Sequence, residues 1–165
     1  QLSKLDPFTN LLNKSAMEEE CNYFLTNNNA QNAAFIIIDL DNFKQINDNF
    51  GHKTGDIVLK NISIKIQSIF RNSDYISRFG GDEFSIFIPK INSNSLESKL
   101  KILTKNLTES FSKDNISYNV TASIGCAYNM GKNISYKKLF TFADEALYKA
   151  KNKGKNCFII YNLKY

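Results

Sequence analysis

Two stretches rich in aromatic and β-branched residues flank a Gly-Gly pair near the middle of the chain. The stretches are residues 75–77 and 85–88, and the glycines lie at 80–81. Because glycine reaches positive φ at little steric cost, this pattern predicts a β-hairpin that turns at the two glycines. Asp82 and Glu83 follow directly, and carboxylates beside bare backbone suit a Mg²⁺-bound phosphate chain. On this stretch alone, an ordinary surface hairpin with polar residues near its turn is the alternative.

Length and composition predict one cytoplasmic domain with a single core. The chain has 165 residues, of which 42% are hydrophobic, and its apolar runs are shorter than the ~20 residues of a membrane helix. From these short runs we expect no direct membrane contact by this domain. Cys21, Cys126 and Cys157 are far apart and odd in number, so we expect reduced thiols. The net charge is +5, with lysines clustered at 149–155. These lysines suit a small polyphosphate, and the absence of an RNA- or DNA-reading motif argues against nucleic acid.

A short apolar run at residues 35–38 is typical of a central strand that is covered on both faces. It is predicted to stop at Asp39-Leu40-Asp41. Asp41 is well placed to cap the next helix. Asp39 has no such role, and a carboxylate at the end of a buried strand costs free energy unless it is paired or metal-bound.

The remaining pattern predicts an α+β fold in which helices flank one mixed, five-stranded sheet. The predicted order is helix, β, α, α, β, β, α, β, α, β. The hairpin then lies mid-sheet, with its turn near the end of the first strand, so that Asp39 approaches Asp82. Ser15, with Glu18 completing a capping box, and Thr54 and Ser135 are predicted to cap three helices. A further helix is predicted over 95–111, and strands are predicted over 118–124 and 157–161.

Six separated motifs stand in order along the chain: DPFTNLLN at 6–13, DLDNFKQIND at 39–48, GHKTGD at 51–56, RFGGDEF at 78–84, SIG at 123–125 and ADEALYKAKNKGKN at 143–156. With these motifs the chain resembles the GGDEF domains of diguanylate cyclases over nearly its whole length. The resemblance implies a fold related to nucleotidyl cyclases and polymerase palm domains. It also implies that two GTP condense to cyclic di-GMP and two pyrophosphates across a homodimer. We expect a single domain over 1–165 whose upstream sensory or dimerising region is absent from this chain.

The resemblance implies a divalent metal site at the acids. Asp39, the carbonyl of Leu40 and Asp82 would hold Mg²⁺ or Mn²⁺, with Glu83 close by. Asp82 is the predicted acceptor of the 3′-hydroxyl proton, and Glu83 is the competing candidate. Lys44 matches a position credited with stabilising the transition state, although a solvated helix lysine is the alternative.

The resemblance also implies the contacts that select and hold GTP. Asn47 and Asp56 match guanine-reading positions, where an Asp accepts from guanine N1–H and N2 and so disfavours adenine. For Asp56, a first-turn helix acid favoured by the helix dipole is the alternative. The other implied contacts are His52 at the ribose or base, the backbone N–H of Phe43, and Lys151 and Lys155 at the γ-phosphate. Lys155 replaces the family's usual Arg, which predicts a weaker phosphate grip with activity retained.

Arg71 and Asp74 match the family's R-x-x-D inhibitory site, with five residues between Asp74 and Gly80. The resemblance implies that they bind the product, cyclic di-GMP, with support from Arg78, because Arg can fork onto a guanine edge or a phosphate. A local surface ion pair is the alternative. For the whole domain, the alternative function is a non-catalytic effector that binds GTP or cyclic di-GMP.

Overall fold

Five helices and six strands make up the part of the chain that the structure, a computed structural model, describes, namely residues 3–27 and 31–164. No helix within these ranges is long and apolar enough to cross a membrane. The helices are α1 (Lys14–Asn27), α2 (Phe43–Phe50), α3 (His52–Ile69), α4 (Ser93–Asn106) and α5 (Tyr136–Asn152). The strands are β1 (Ala34–Asp41), β2 (Tyr75–Gly80), β3 (Glu83–Ile88), β4 (Glu109–Lys113), β5 (Ile116–Tyr128) and β6 (Phe158–Asn162).

The strands form one mixed sheet with β1 at its centre. The order is β2-β3-β1-β5-β4, and β6 pairs with β5 in parallel, whereas all other neighbours are antiparallel. Ile36 and Ile38 face a core shared with α2, α3 and α4, while Phe35 and Ile37 face a second core shared with α1 and α5. Successive side chains of a strand point to opposite faces, so a strand covered on both sides is apolar throughout. The predicted α+β class and central strand are therefore confirmed.

The sheet has six strands and not the predicted five. The additional strand is β4, whose first residues fall within the helix predicted over 95–111. Phe111 continues the apolar stripe of α4 in the sequence, but α4 ends at Asn106 and Phe111 packs from β4 against Phe50, with 5.5 Å between the ring centroids. Asp114 and Asn115 connect β4 to β5 with φ values of 53° and 63°. Two successive positive φ values are typical of a tight hairpin turn, which lengthens β5 beyond the predicted 118–124. β6 begins one residue later than predicted, at Phe158.

The helix start at Ser135 agrees with the prediction, whereas the other predicted starts differ; α4, for example, begins at Ser93 and not at residue 95. Ser135 caps α5 as predicted, because its hydroxyl accepts from a first-turn N–H. α1 begins earlier than predicted, since Asn13 and not Ser15 accepts the hydrogen bond from the Ala16 N–H, at 2.9 Å. α3 begins before Thr54, whose hydroxyl donates to a carbonyl of α2 at 3.1 Å instead of capping the helix.

Helix α5 lies directly against β5 at Gly125. A Cβ at this position would come within 2.2 Å of the carbonyl oxygen of Ala143 and of the amide nitrogen of Leu147. Any larger residue would push the helix off the sheet, since both neighbouring atoms belong to backbone. This close approach carries the end of α5, with Lys151, to the carboxyl end of β1.

Candidate active site

The glycine-containing turn joins β2 to β3 next to the end of β1. Gly80 is the last residue of β2 and pairs with Glu83, so the turn residues are Gly81 and Asp82. The sequence had predicted the two glycines as the turn, and the shift arises from a bulge between Arg78 and Gly80. Gly80 and Gly81 have φ values of 118° and 52°, which glycine adopts without strain.

The register of the sheet brings the predicted acids together. β1 continues through Asp39 and Asp41 and does not stop before them, and Asp39 stands opposite Glu83 on β3. The N–H of Leu40 donates to the backbone carbonyl of Asp82 at 3.2 Å. The predicted approach of Asp39 and Asp82 is confirmed. We refer to Asp39, Asp82 and Glu83 as the acidic cluster.

Asp39 perturbs the other two members of the acidic cluster. Burial, and then the negative charge of Asp39, raise the pKa of Asp82 above its ordinary value. The same two causes, followed by the charge of Asp144, raise the pKa of Glu83. Such shifts are expected where carboxylates crowd in a partly dry environment, because the charged form loses hydration and gains repulsion.

Lys151 opposes this negative charge. Its ammonium forms an ion pair with the carboxylate of Asp39. Burial acts against the ammonium, but the hydrogen bond to Asp39 and the charges of Glu83 and Asp82 raise the pKa of Lys151. Lys151 faces three carboxylates, and Asp144 and Lys14 also act on Glu83 with opposite signs, so an excess of negative charge remains.

The donor set of the acidic cluster fits a hard divalent cation. Carboxylate oxygens are ligands that Mg²⁺ prefers, and Leu40, whose carbonyl is the further predicted ligand, follows Asp39 directly on β1. Across residues 3–27 and 31–164, no group of three His, Cys, Asp or Glu side chains is arranged to hold a metal ion as it stands. Asp39 is instead neutralised by Lys151, so a cation at this carboxylate would have to take the place of the ammonium.

The predicted guanine-reading residues lie where α2 meets α3. Asn47 is half-buried on α2, and Asp56 is exposed near the start of α3. Between them lies Gly55, where a Cβ would come 1.8 Å from Oδ1 of Asn47 and 2.9 Å from its Cγ. Gly55 therefore leaves the space that the Asn47 carboxamide fills. Sequence reasoning missed this residue, although a glycine inside a helix, which costs up to about 1 kcal/mol relative to Ala, is itself a signal of close approach.

The remaining predicted substrate residues lie on α2, on α3 and in the turn after α5. The ring of Phe43 is buried in the core at the start of α2, and Lys44 beside it is exposed. His52 is exposed at the start of α3. Lys155 is exposed in the turn after α5, with a φ of 64°.

Asp41 has a role that the sequence did not predict. It does not cap α2, since the residue before that helix is Asn42, with a φ of 63° and no side-chain cap hydrogen bond. Asp41 is buried and accepts from the hydroxyls of Thr121 and Ser123 and from the backbone N–H of Asn156. It therefore joins β1, β5 and the turn that follows α5.

Arg71 and Asp74 form the predicted pair ahead of β2. The Asp74 side chain is fully buried and accepts from the guanidinium and from the backbone N–H of Arg71, at 3.1 and 2.9 Å. The guanidinium also donates to the carbonyl of Lys90 at 2.9 Å. A cavity of about 670 Å³ opens beside it, lined by Gln31, Asn32, Arg71, Lys90, Ile91, Asn92, Ser95 and Lys99. The burial of Asp74 distinguishes this pair from a solvated surface ion pair.

Arg78 belongs to the hairpin turn. Its guanidinium donates to the carbonyl of Gly81 at 2.8 Å and to the carboxylate of Asp6 at 3.3 Å, and it lies over the ring of Phe8. These contacts anchor the N-terminal segment to the turn. The predicted support of Arg78 for product binding at Arg71 and Asp74 stays a prediction.

Comparison with known proteins places the chain in a family. The model of the family described as "Diguanylate cyclase, GGDEF domain" matches residues 3–157. The chain belongs to the GGDEF diguanylate cyclase family.

Several relatives and solved structures are similar to the chain. The uncharacterized protein YtrP of Bacillus subtilis is 36% identical over 98% of the chain and 27% of its own length. The diguanylate cyclase DgcS of Shewanella oneidensis is 36% identical over 76% of the chain and 41% of its own length. The GGDEF domain of DgcB from Caulobacter crescentus, solved in complex with c-di-GMP, has the same fold, with a TM-score of 0.86 and 24% identity over 100% of this chain and 98% of that chain.

Relatives with the opposite activity are also found. The cyclic di-GMP phosphodiesterase PdeR of Escherichia coli is 28% identical over 97% of the chain and 24% of its own length. The chain thus spans between about a quarter and two fifths of the length of these curated relatives.

Proposed function

We propose that this domain is a diguanylate cyclase, which condenses two GTP into cyclic di-GMP and two pyrophosphates. The observation that carries the proposal is the convergence of Asp39, Asp82 and Glu83 at one end of the sheet, next to Lys151. The diguanylate cyclase activity of the relative DgcS supports it. All three acids are retained, and this favours turnover over a binding role.

In the proposed site, Asp39, the carbonyl of Leu40 and Asp82 would hold Mg²⁺ or Mn²⁺, with Glu83 beside them. When bound, the cation neutralises charge on the triphosphate and lowers the pKa of the attacking hydroxyl. Lys151, released from Asp39, then pairs with the phosphates together with Lys155 at the γ-phosphate. Lys44, exposed on α2, would balance charge that develops in the transition state.

Asp82 is the proposed acceptor of the 3′-hydroxyl proton. Burial and the charge of Asp39 raise its pKa in the cation-free domain. A metal ligand is a poor base unless the cation also lowers the pKa of the attacking hydroxyl, and this proposal requires that second effect. The pKa of Glu83 is raised as well, and Glu83 is the competing candidate. The two differ in position, since Asp82 lies in the turn whereas Glu83 begins β3 opposite Asp39.

Guanine would lie against the junction of α2 and α3. Asp56 accepts from N1–H and the N2 amino group, and Asn47 meets the N3 and amino edge. Adenine presents an acceptor at N1 and lacks the amino group, so it leaves Asp56 facing an acceptor. His52 contacts the ribose or base, and the backbone N–H of Phe43 donates to a phosphate.

Two further parts of the proposal concern assembly and regulation. Each domain holds one GTP, so a homodimer is needed to bring the 3′-hydroxyl of one nucleotide to the α-phosphorus of the other.

Product binds at Arg71 and Asp74, where Lys90 and Lys99 line the adjoining cavity and suit the two phosphates of cyclic di-GMP. The c-di-GMP complex of the GGDEF domain of DgcB supports binding of the product.

A non-catalytic effector that binds GTP or cyclic di-GMP is the second candidate. The ready-made Arg71–Asp74 pair beside a cavity favours it, because product binding there does not require turnover. The relationship to PdeR, a phosphodiesterase that contains a similar segment, also supports it.

Product analysis distinguishes the two candidates. The domain is incubated with GTP and Mg²⁺, with ATP as the nucleotide control and Asp39→Asn as the protein control. Cyclic di-GMP from GTP alone, identified by mass spectrometry and absent with Asp39→Asn, is the expected result. Unchanged GTP at high protein concentration, with nucleotide still bound, would favour the effector.

A further inference from the structure

Asp41 is a buried carboxylate that the proposed chemistry does not use. It lies two residues beyond Asp39 on β1 and is 4% exposed. It accepts from the hydroxyls of Thr121 and Ser123 on β5, both at 2.6 Å, and from the backbone N–H of Asn156 at 3.0 Å. A buried carboxylate is costly unless its hydrogen bonds are made, so these three donors are needed in the folded domain.

The bond to Asn156 fixes the turn that follows α5. Lys155 and Asn156 have φ values of 64° and 48°. Residues other than glycine hold this left-handed conformation only where their surroundings support it. The N–H that Asp41 accepts belongs to the second of these two residues, so the carboxylate supports the turn directly.

The end of α5 is thus tied to β1 at two carboxylates. Lys151 pairs with Asp39, and Asn156 pairs with Asp41. Residues two apart on a strand face the same side, so both ties lie on one face of β1.

The two ties respond differently to substrate. In the proposed function, Asp39 binds a divalent cation and Lys151 moves to the phosphates, so the first tie breaks when nucleotide binds. The hydrogen bond between Asp41 and Asn156 involves neither Asp39 nor Lys151, and it persists. We infer that Asp41 is a positioning residue that holds the turn after α5, and with it Lys151 and Lys155, at the triphosphate once Lys151 has left Asp39. This inference rests on the proposed phosphate role of the two lysines.

Three variants separate the tie from general packing. Asp41→Ala removes it. Asp41→Asn retains an oxygen for the Asn156 N–H, while its amide nitrogen can donate to a hydroxyl. Ser123→Ala is the matched control, since it removes one bond to the other carboxylate oxygen and leaves the tie intact.

Binding is measured by calorimetry with Mg²⁺ and a GTP analogue whose α–β bridge is a methylene, which prevents turnover. Loss of a charged hydrogen bond predicts a Kd higher by roughly tenfold for Asp41→Ala and by less than about threefold for the other two variants. GMP, which lacks the outer phosphates, should bind equally to all three. Equal losses for Asp41→Ala and Ser123→Ala, or an equal loss of GMP binding, would overturn the inference.

Amide exchange provides a test in the unmodified domain. The Asn156 amide should stay protected when Mg²⁺ and the analogue bind, and should exchange faster in Asp41→Ala alone. An Asn156 amide that loses its protection on nucleotide binding would overturn the inference even if Asp41→Ala does not fold.

Lys151→Ala distinguishes a failure of this inference from a failure of the proposed function. This variant should weaken binding of the analogue. If Lys151→Ala weakens binding and Asp41→Ala does not, the inference is wrong while the proposed function stands. If Lys151→Ala binds normally, the phosphate role of the lysine is wrong, and the inference with it.

Discussion

Two aspartates close to one hairpin have opposite surroundings. Asp82, in the turn, lies beside Asp39 with the ammonium of Lys151 nearby, and its pKa is raised by burial and by the charge of Asp39. Asp74, ahead of β2, is fully buried but accepts hydrogen bonds from the backbone N–H and the guanidinium of a single arginine. The first carboxylate has too few positive partners, whereas the second is satisfied.

The difference shows what each region is suited to do. An excess of negative charge destabilises the unliganded domain and is relieved by a cation, which is expected of a catalytic metal site. A satisfied pair stabilises the fold and keeps a guanidinium oriented beside a cavity, which is expected of a preformed binding site.

The largest expected effect is on turnover at the acidic cluster. Asp82→Ala removes a ligand and the proposed base, so we expect kcat to fall by on the order of 10³-fold. Glu83→Gln, measured alongside, should lower kcat less if Asp82 is the proton acceptor. The measurement is the initial rate of cyclic di-GMP formation at matched protein concentration. A fully active Asp82→Ala variant would refute the metal assignment.

The next effect is on product inhibition at the satisfied pair. Arg71→Ala removes the guanidinium that faces the cavity, so the Ki of cyclic di-GMP should rise by roughly 10- to 100-fold. The initial rate should stay close to that of the unmodified domain, because Arg71 lies outside the acidic cluster. Lys101→Ala on the exposed face of α4 is the charge-matched control. Inhibition that persists in Arg71→Ala would rule out this site.

The same substitution should change stability in opposite directions at the two aspartates. Asp74→Asn leaves Arg71 without its carboxylate and should cost about 2–3 kcal/mol. Asp82→Asn removes repulsion in the cation-free domain and should raise Tm by on the order of 2 °C. Thermal unfolding in EDTA measures both. A stabilised Asp74→Asn or a destabilised Asp82→Asn would contradict the contrast.

The pH dependence follows from the same cause. Because the folded-state pKa values of Asp82 and Glu83 are raised, the folded domain binds their protons more readily than the unfolded chain. Their contribution to stability is present at a pH below their unfolded pKa values and is lost as pH rises through the folded ones. Without divalent cations, the stability gained on acidification from pH 7 should therefore be smaller in Asp82→Asn.

The smallest expected effect is at Gly55. Gly55→Ala forces the Asn47 carboxamide to rotate, since a Cβ would overlap its Oδ1. Ala favours the helix by up to about 1 kcal/mol, so the domain should be as stable as before or slightly more so. Discrimination between GTP and ITP, which lacks the N2 amino group, should nevertheless fall by roughly 3- to 10-fold. Asn47→Ala, which keeps Gly55, should give the same loss; if it does not, the guanine role of Asn47 is wrong.

The sequence predicted the parts of this molecule that depend on local pattern. The apolar run of β1 and the glycine turn defined the strands that carry Asp39 and Asp82, and the periodicity of 135–150 defined α5. β4 was missed because Phe111 extends the helical stripe of α4, and the competing hairpin becomes apparent only from the positive φ values of Asp114 and Asn115.

Contacts between distant residues could not be predicted in this way. Asp41 and Asn156 are 115 positions apart, and Arg78 meets Asp6 across 72 positions. The space beside Gly55 depends on the angle at which α2 meets α3. A local sequence pattern does not predict these long-range contacts. The roles of Asp41, Arg78 and Gly55 depend on them.

The most direct test of the central claim is the rate of cyclic di-GMP formation from GTP and Mg²⁺ over a series of protein concentrations. If the acidic cluster catalyses condensation between two domains, the rate should rise more steeply than linearly with protein concentration, and the rate of Asp82→Ala should be lower by on the order of 10³-fold at every concentration. Bound GTP without product across the whole series, or equal rates for the two proteins, would contradict a catalytic role for the acidic cluster.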